Sequence, residues 1–409
     1  MSLSVSAPAP AAPVVGSRRH GTGFWLIAFA FLTAMAFSTV PTPLYPLYMA
    51  RDGFSTFMVT VVFAAYAVGV VISLLLAGHV SDWVGRRRVL LPALLLELVA
   101  AALFLVSTDL TVLLVARLVT GLGVGLVTAT ATAHLAELHA AHRPGAPAQR
   151  FEMVSTAANI GGLGFGPLVA GFLAQWVGAP LRTPYLVFAV LLLLALAAVL
   201  IAPETVTRPE VTPAYRPQRI SADGDPAGYL AAAAAAFTGF SVFGLFTSVA
   251  PGFVAGTLHH PSRALAGLIV FAVFGAAASA QTLTAALPAG LKMTAGLVAE
   301  VAGLLVLVAG AHAQSLALFL IGGVLAGVGA GVLFKAAVGT VVATAAPAKR
   351  GEALAGLFLI GYLGLIGPAL GIGVAVRSLD TTTVLTWFAG LLLVLLAGVG
   401  VLNRRRSGR

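Results

Sequence analysis

Along the chain, long apolar runs alternate with short polar or glycine- and proline-marked breaks, twelve times over. The runs fall at 22–48, 56–79, 88–107, 110–138, 150–177, 183–202, 227–256, 263–287, 291–310, 314–345, 351–376 and 381–402. A helix that crosses the hydrocarbon core of a bilayer needs about 20 mostly apolar residues, and each run meets that length. Charge and turn signals separate them, as at Arg51-Asp52-Gly53, Asp82-Trp83-Val84-Gly85 and Pro347-Ala348-Lys349-Arg350. The pattern predicts an all-α membrane protein with twelve transmembrane helices, numbered here as spans 1 to 12.

The longest polar stretch between runs is 203–226, PETVTRPEVTPAYRPQRISADGDP. It is proline-rich and charged, as a linker is, and divides the spans six and six. The expected organisation is a tail at 1–21, a six-helix bundle at 22–202, a cytoplasmic linker at 203–226, a second six-helix bundle at 227–402 and a basic tail at 403–409. Residues 1–21 are read as a disordered cytoplasmic tail and not a cleavable signal peptide, because the apolar run after Arg18 and Arg19 continues too far. The two halves echo each other. Gln149-Arg150-Phe151-Glu152 opens span 5, and Lys349-Arg350-Gly351-Glu352 opens span 11, 200 positions later. Gly166-Pro167 in span 5 matches Gly367-Pro368 in span 11. Gly121-x-Gly123-x-Gly125 in span 4 recurs as Gly327-x-Gly329-x-Gly331 in span 10. Such glycine spacing can signal a dinucleotide site after a strand; with wholly apolar flanks it fits close approach of membrane helices instead.

Composition agrees with that pattern. Charged residues make up 9% of the chain, hydrophobic residues 59%, and the mean hydropathy is +1.03. A soluble domain carries roughly 25% charged residues, so this chain must present apolar side chains to lipid. The net charge of +10 is assigned to cytoplasmic loops, and no nucleic-acid partner is expected. Lys and Arg accumulate on the cytoplasmic side of membrane proteins. With both termini inside, 17 of the 23 basic residues fall in cytoplasmic segments. Only Arg51, Arg182, Arg263 and Arg377 fall outside, while Arg117 and Lys335 lie within spans. Absence of cysteine excludes disulfides and thiolate chemistry.

The loop between spans 2 and 3 reads Gly78-His79-Val80-Ser81-Asp82-Trp83-Val84-Gly85-Arg86-Arg87-Arg88. At Gly78, Asp82, Gly85, Arg86 and Arg88 it resembles the loop signature of the major facilitator superfamily, and the resemblance extends from span 1 to span 12. Gly85 permits a tight turn, and a carboxylate such as Asp82 suits a helix N-terminus. The resemblance implies a conformational latch, with Glu137 as the partner of Arg86 and the start of span 11, near Gly351, as the end capped by Asp82. The corresponding loop of the second half, Leu287-Pro288-Ala289-Gly290-Leu291-Lys292, lacks the aspartate and the paired arginines. Span 5 contains Gly162-Leu163-Gly164-Phe165-Gly166-Pro167-Leu168-Val169-Ala170-Gly171, similar to the signature of proton-coupled exporters, with Ala170 in place of a glycine. Gly162, Gly166, Pro167 and Gly171 are its key positions, expected to pack against span 8. Arg117 with Gly121 resembles the span 4 pattern linked to proton handling. Pro41, Pro43 and Pro46 at the end of span 1, and Pro203-Glu204-Thr205 after span 6, are similar to features of the twelve-span drug:proton antiporters.

Ionisable residues inside spans are functional candidates. Here they are Glu97, Arg117, Glu300 and Lys335, with His134 nearer the end of span 4. Glu97 and Glu300 lie at comparable depths, the former about 13 Å in at 1.5 Å per residue. They are read as proton sites or as neutral structural braces, since spans 3 and 9 are peripheral in this family. Arg117 is read either as a coupling residue or as a structural donor to carbonyls of span 1. Lys335 is placed in the central cavity, and with Arg117 would make it net positive. Fold analogy adds Thr39, Thr128, Asn159, Ser241, Gln281, Tyr362, Phe240 and Phe243 as lining.

These features imply secondary active export of a small neutral, zwitterionic or anionic amphiphile, exchanged for protons by a monomer in a bacterial inner (plasma) membrane. The alternatives are a symporter or facilitator for uptake, or a non-transporting membrane sensor. No cofactor or metal is expected, no nucleotide-binding loop is present, and the histidines, mostly in loops such as His139, His142 and His259-His260, lack ligand spacing on one helix face. An enzyme is not expected.

Overall fold

A computed structural model describes residues 18–207, 214–221 and 225–407. Parts of the expected tails (1–17 and 408–409) and of the linker (208–213 and 222–224) lie outside the described residues. Among the described residues, twelve helices have the length and apolarity to cross a bilayer: Arg18–Asp52, Thr56–Ala77, Arg86–Val106, Leu110–His142, Gln149–Trp176, Thr183–Ile201, Pro226–Gly256, Arg263–Leu283, Ala289–His312, Leu316–Thr344, Arg350–Ala375 and Thr381–Arg404. These are spans 1 to 12.

Local chemistry sets their ends. Ser55, Ser262 and Ser315 accept from the backbone N–H three residues on, and Asp225 accepts from Ala227, as N-cap residues do. Span 1 is broken where Pro41 and Pro43 remove donors: a helix Arg18–Thr39 gives way to a 3-10 turn at Thr42–Leu44 and a short helix Tyr45–Asp52. Span 5 contains one π-helical turn, Ala157–Gly161. Several helices run past the limits set by hydropathy, span 4 among them, which continues to His142. Span 1 begins at Arg18, span 3 at Arg86, and the helix of span 12 continues to Ser407. Arginine is a good helix former, so polarity marks where a span leaves lipid but not where its backbone ladder stops.

Packing follows a pseudo-two-fold rule. In the first half span 1 packs on spans 4, 5 and 6, span 2 on span 4, and span 3 on spans 4 and 6. In the second half span 7 packs on 10, 11 and 12, span 8 on 10, and span 9 on 10 and 12. Adding six to each number of the first set gives the second. The seams between halves, span 5 on span 8 and span 2 on span 11, exchange under the same operation. Transporters built from parallel repeats show this symmetry.

The repeated glycines make the tight contacts. A Cβ on Gly121 or Gly125 would strike the span 2 backbone, and one on Gly123 would strike Glu97 and Ala93 of span 3. In the second half Gly327 and Gly331 face span 8, and Gly329 faces Glu300 of span 9. One glycine triplet thus seats two neighbours at once, in each half, which accounts for its spacing.

Candidate functional site

The 2–3 loop, the linker and the starts of spans 5 and 11 gather at one end of the molecule, here the linker end. At the other end the halves are joined where Thr42–Leu44 packs on spans 5 and 8, and Tyr45–Asp52 packs on Ala250–Gly256. Between the halves, toward the linker end, lies a cavity of about 520 Å³ lined by spans 2, 4, 5, 8, 10 and 11. Thr128, Asn159, Gln281, Lys335 and Tyr362 line it. A smaller chamber of about 100 Å³ shares Thr128, Asn159 and Tyr362 with it and adds Thr39, Tyr66, Phe240 and Phe243. Phe240 meets Tyr362 edge-to-face with centroids 5.5 Å apart, and Phe243 stacks on Phe274 at 4.6 Å. Asn159 sits in the π turn of span 5, a distortion frequent at functional sites. Ser241 does not reach the cavity; it donates to the carbonyls of Phe237 and Gly364, joining spans 7 and 11.

The cavity is not net positive. Lys335 Nζ lies 3.2 Å from Glu152 Oε2, a salt bridge from span 10 to span 5 across the two halves. Arg117 stays out of the cavity. Its Nη1 donates to the Ser38 carbonyl of span 1, and its guanidinium carbon lies 4.4 Å from the Tyr66 ring centre. Glu152 was missed because an acid in the first turn of a span reads as a boundary residue. What could have found it is the need of a lysine at that depth for a counter-charge.

Of the other titratable residues, Glu97 and Glu300 are fully buried and line neither cavity. Neither oxygen of Glu97 has a hydrogen-bond partner among the described residues, and the charge of Arg117 is the one that reaches it. Glu300 likewise completes no hydrogen bond, the Thr238 hydroxyl being the polar group that approaches it. An ionised carboxylate at Glu300 would be uncompensated, while one at Glu97 would have the charge of Arg117 to offset it. His134 Nε2 lies 2.9 Å from the Pro203 carbonyl, at the end of span 6, away from the cavity.

The expected latch residues form a cluster within the first half. Gly85 adopts φ +116° and turns the chain into span 3. Arg86 Nη2 donates to Glu137 Oε1 at 2.6 Å, its Nε spans both Glu137 oxygens at 3.2 Å, and Nη1 donates to Ser81 at 2.7 Å and to Asp82. Asp82 therefore does not cap span 11; its carboxylate is turned back onto Arg86. A cleft of about 260 Å³, lined by Gly78, Asp82, Gln218 and Gly351, lies between them. Arg88 is exposed. The cap at this corner belongs to Glu204, whose oxygens accept from the backbone N–H of Arg86 at 2.9 Å and of Arg87 at 3.0 Å. Thr205 donates to Glu137. The Pro-Glu-Thr at the end of span 6 thus ties spans 3, 4 and 6 together.

The linker crosses the cleft. Gln218 N–H donates to the Leu75 carbonyl at 2.8 Å and Tyr215 Oη to the Leu76 carbonyl at 2.9 Å, both on span 2. On the other side Ser221 N–H lies 3.4 Å from the Glu352 carbonyl of span 11.

Span 5 faces both halves through its glycine run. Gly162 and Gly166 abut Met35 and Ala36 of span 1, while Gly171 abuts the backbone of Arg263 and Gly267 in span 8. The Pro167 carbonyl lies against Gly267, and Arg263 donates to the Ala174 carbonyl at 2.8 Å. Residues 27–290 match the sequence profile of the Major Facilitator Superfamily.

The chain belongs to the major facilitator superfamily. Members of this superfamily sit in membranes and bind small-molecule substrates, and the described residues of this chain contain twelve helices able to span one. An uncharacterized MFS-type transporter of Mycobacterium tuberculosis (strain CDC 1551 / Oshkosh) is 28% identical over 193 residues, 45% of this chain and 27% of the relative. Quinolone resistance protein NorA of Staphylococcus aureus is 26% identical over 133 residues, 32% of this chain and 33% of NorA. The arabinose-proton symporter of Bacillus subtilis is 32% identical over 83 residues, 20% of this chain and 18% of the symporter. The fold is shared with the human organic anion transporter MFSD10 (TETRAN), at TM-score 0.69 and 18% identity over 93% of this chain and 99% of that one. It is shared equally with the nucleoside transporter NupG, at TM-score 0.70 and 15% identity over the same fractions.

Proposed function

We propose that this transporter is a proton-coupled exporter of a small amphiphilic molecule, working by alternating access as a monomer in a bacterial inner membrane. Both termini and the linker are cytoplasmic in this reading, which gives the cavity a cytoplasmic mouth. The observation that carries export is the Gly162–Gly171 run of span 5, seated against span 1 on one side and span 8 on the other. A seam packed backbone to backbone lets the halves rock without opening an ion leak between them. The similarity to NorA, a quinolone resistance protein, favours the same direction.

Coupling is assigned to the buried polar residues of the first half. Tyr66 lines the inner chamber, Arg117 lies over its ring, and Glu97 lies in the field of Arg117. Protonation of Glu97 would then be felt in the chamber through Arg117 and Tyr66. Glu300 and His134 are the secondary candidates. The Arg86 cluster holds spans 2, 3, 4 and 6 as a unit, so that the first half moves as a rigid body and Asp82 is available to span 11 when the cleft closes.

The test is reconstitution in liposomes with a pH-sensitive dye inside and an imposed proton gradient. Neutral, anionic and cationic amphiphiles are added in turn, with Arg117→Ala and Lys335→Ala in parallel. Substrate-dependent proton movement that disappears in Arg117→Ala supports antiport. Proton movement with the sign of cotransport supports the second reading, an uptake symporter, which the similarity to the arabinose-proton symporter favours. Substrate flux with no proton movement overturns coupling and leaves a facilitator.

A further inference from the structure

The lining of the main cavity contains two charged side chains, Lys335 and Glu152, and they are paired with each other. Lys335 is half-buried and Glu152 exposed, with side-chain exposures of 24% and 48%, so each is open to the cavity while it holds the other. The rest of the wall is apolar or neutral, with Phe334, Phe358 and Tyr362 forming an aromatic side. One further group there lacks a partner. Gln281 Nε2 is buried without a hydrogen-bond acceptor among the described residues, although buried amides are normally satisfied. The empty donor and the accessible ion pair line the same cavity, and both point to a ligand.

Charge balance limits which ligand that can be. An anion that took Lys335 would leave Glu152 unpaired, and a cation that took Glu152 would strand Lys335. A ligand that serves one end of the pair gives up the attraction between the two ends, whereas one that serves both ends keeps two ionic contacts. A neutral ligand would leave the bridge intact and gain no ionic contact. A ligand with one positive and one negative group can replace both ends of the bridge together. Resting on the reading of this cavity as the substrate site, we propose that the transporter selects zwitterionic amphiphiles. The carboxylate of the ligand takes Lys335, its ammonium takes Glu152, the Gln281 amide donates to the carboxylate, and the apolar body lies on the aromatic side. Because Lys335 and Glu152 belong to different halves, insertion of the ligand also replaces a direct tie between the halves with one that runs through the substrate.

Four dansyl compounds that differ mainly in charge test this: dansylamide (neutral), dansyl-glycine (anion), dansyl-cadaverine (cation) and Nε-dansyl-lysine (zwitterion). Their fluorescence rises on entering an apolar site, so binding to the purified protein in nanodiscs can be titrated directly. Nε-dansyl-lysine is expected to bind about tenfold tighter than the other three, the worth of one good ionic contact. Glu152→Gln should transfer the preference to dansyl-glycine, and Lys335→Gln to dansyl-cadaverine. The exchanged double variant, Glu152→Lys with Lys335→Glu, should restore the preference for the zwitterion. Equal affinity for all four compounds, unchanged by either single substitution, would overturn zwitterion selection and leave the bridge as a tie between the halves. No fluorescence rise with any compound, in the wild type or the variants, would remove the cavity as a binding site, and the underlying reading would fall with the inference.

Discussion

Arg117 and Tyr66 form a buried contact between spans 4 and 2, the guanidinium carbon lying 4.4 Å from the ring centre while Nη1 donates to the Ser38 carbonyl of span 1. One side chain therefore joins three spans, and its ring partner faces the inner chamber. Arg117→Ala would leave the Ser38 carbonyl without its donor and open a hole, at a cost of about 3 kcal/mol. Arg117→Lys keeps a donor but loses the planar stack. It is expected to hold stability within about 1 kcal/mol of wild type while lowering substrate-driven proton movement severalfold. Thermal unfolding of the two purified variants, compared with their transport, checks the separation. Equal transport in Arg117→Lys and wild type would reduce Arg117 to a structural donor.

The glycine triplets give a second prediction, because their middle members differ in what they face. A Cβ on Gly123 would lie 2.7 Å from Glu97 Oε1, the end of a side chain, and 2.9 Å from the Ala93 carbonyl. A Cβ on Gly329 would meet the backbone and Cβ of Glu300, which cannot swing away. Gly329→Ala should therefore cost about 3 kcal/mol, near the upper end for overpacking, and Gly123→Ala about half as much. The order of the two melting temperatures decides it.

The same glycines mark how much was legible beforehand. Hydropathy alone locates the spans, and repetition of Gly-x-Gly-x-Gly and Gly-Pro locates the halves, because both patterns express one requirement, apolar helices at close approach. Arg86 and Glu137 could be paired from the loop signature. Partners that depend on which helix faces which were not legible. Glu152 and Lys335 lie 183 residues apart, and nothing in either segment names the other. Glu204 looked like the polar end of a span, yet it caps a helix that begins 118 residues earlier in the chain. Asp82 illustrates the opposite failure. Its chemistry suits a helix N-terminus, but the nearer guanidinium of Arg86 takes it while the cleft to span 11 stays open.

Glu204 supplies a third prediction. Its carboxylate collects the first two N–H groups of span 3 and those of Thr205 and Val206 in its own turn. Glu204→Ala removes all four acceptor contacts and should cost about 2 kcal/mol, the upper range for a lost cap. Glu204→Gln keeps an acceptor oxygen and should lose less than half of that. Because the Arg86 cluster leans on the same turn through Thr205, a double cycle of Glu204→Ala with Thr205→Val should be non-additive. Additive losses would mean that the cap and the Glu137 contact are independent.

The linker supplies the last. Tyr215 stacks on His79, with ring centroids 6.1 Å apart and planes inclined by 15°, and its hydroxyl bonds the Leu76 carbonyl. Ile220 packs beside Gly356 of span 11. The segment therefore lies as a strap over the cleft between spans 2 and 11, whose wall includes Ala355. The chain has no cysteine, so a single cysteine at Ala355→Cys can be labelled without background. Detaching the strap by Tyr215→Ala should speed reaction of that thiol with a membrane-impermeant maleimide severalfold. Tyr215→Phe retains the ring on His79 and loses one hydrogen bond, worth about 1 kcal/mol, and should fall between the two. If the thiol reacts at one rate in all three backgrounds, the strap does not cover the cleft, and opening there is governed by the packing of spans 2 and 11 alone.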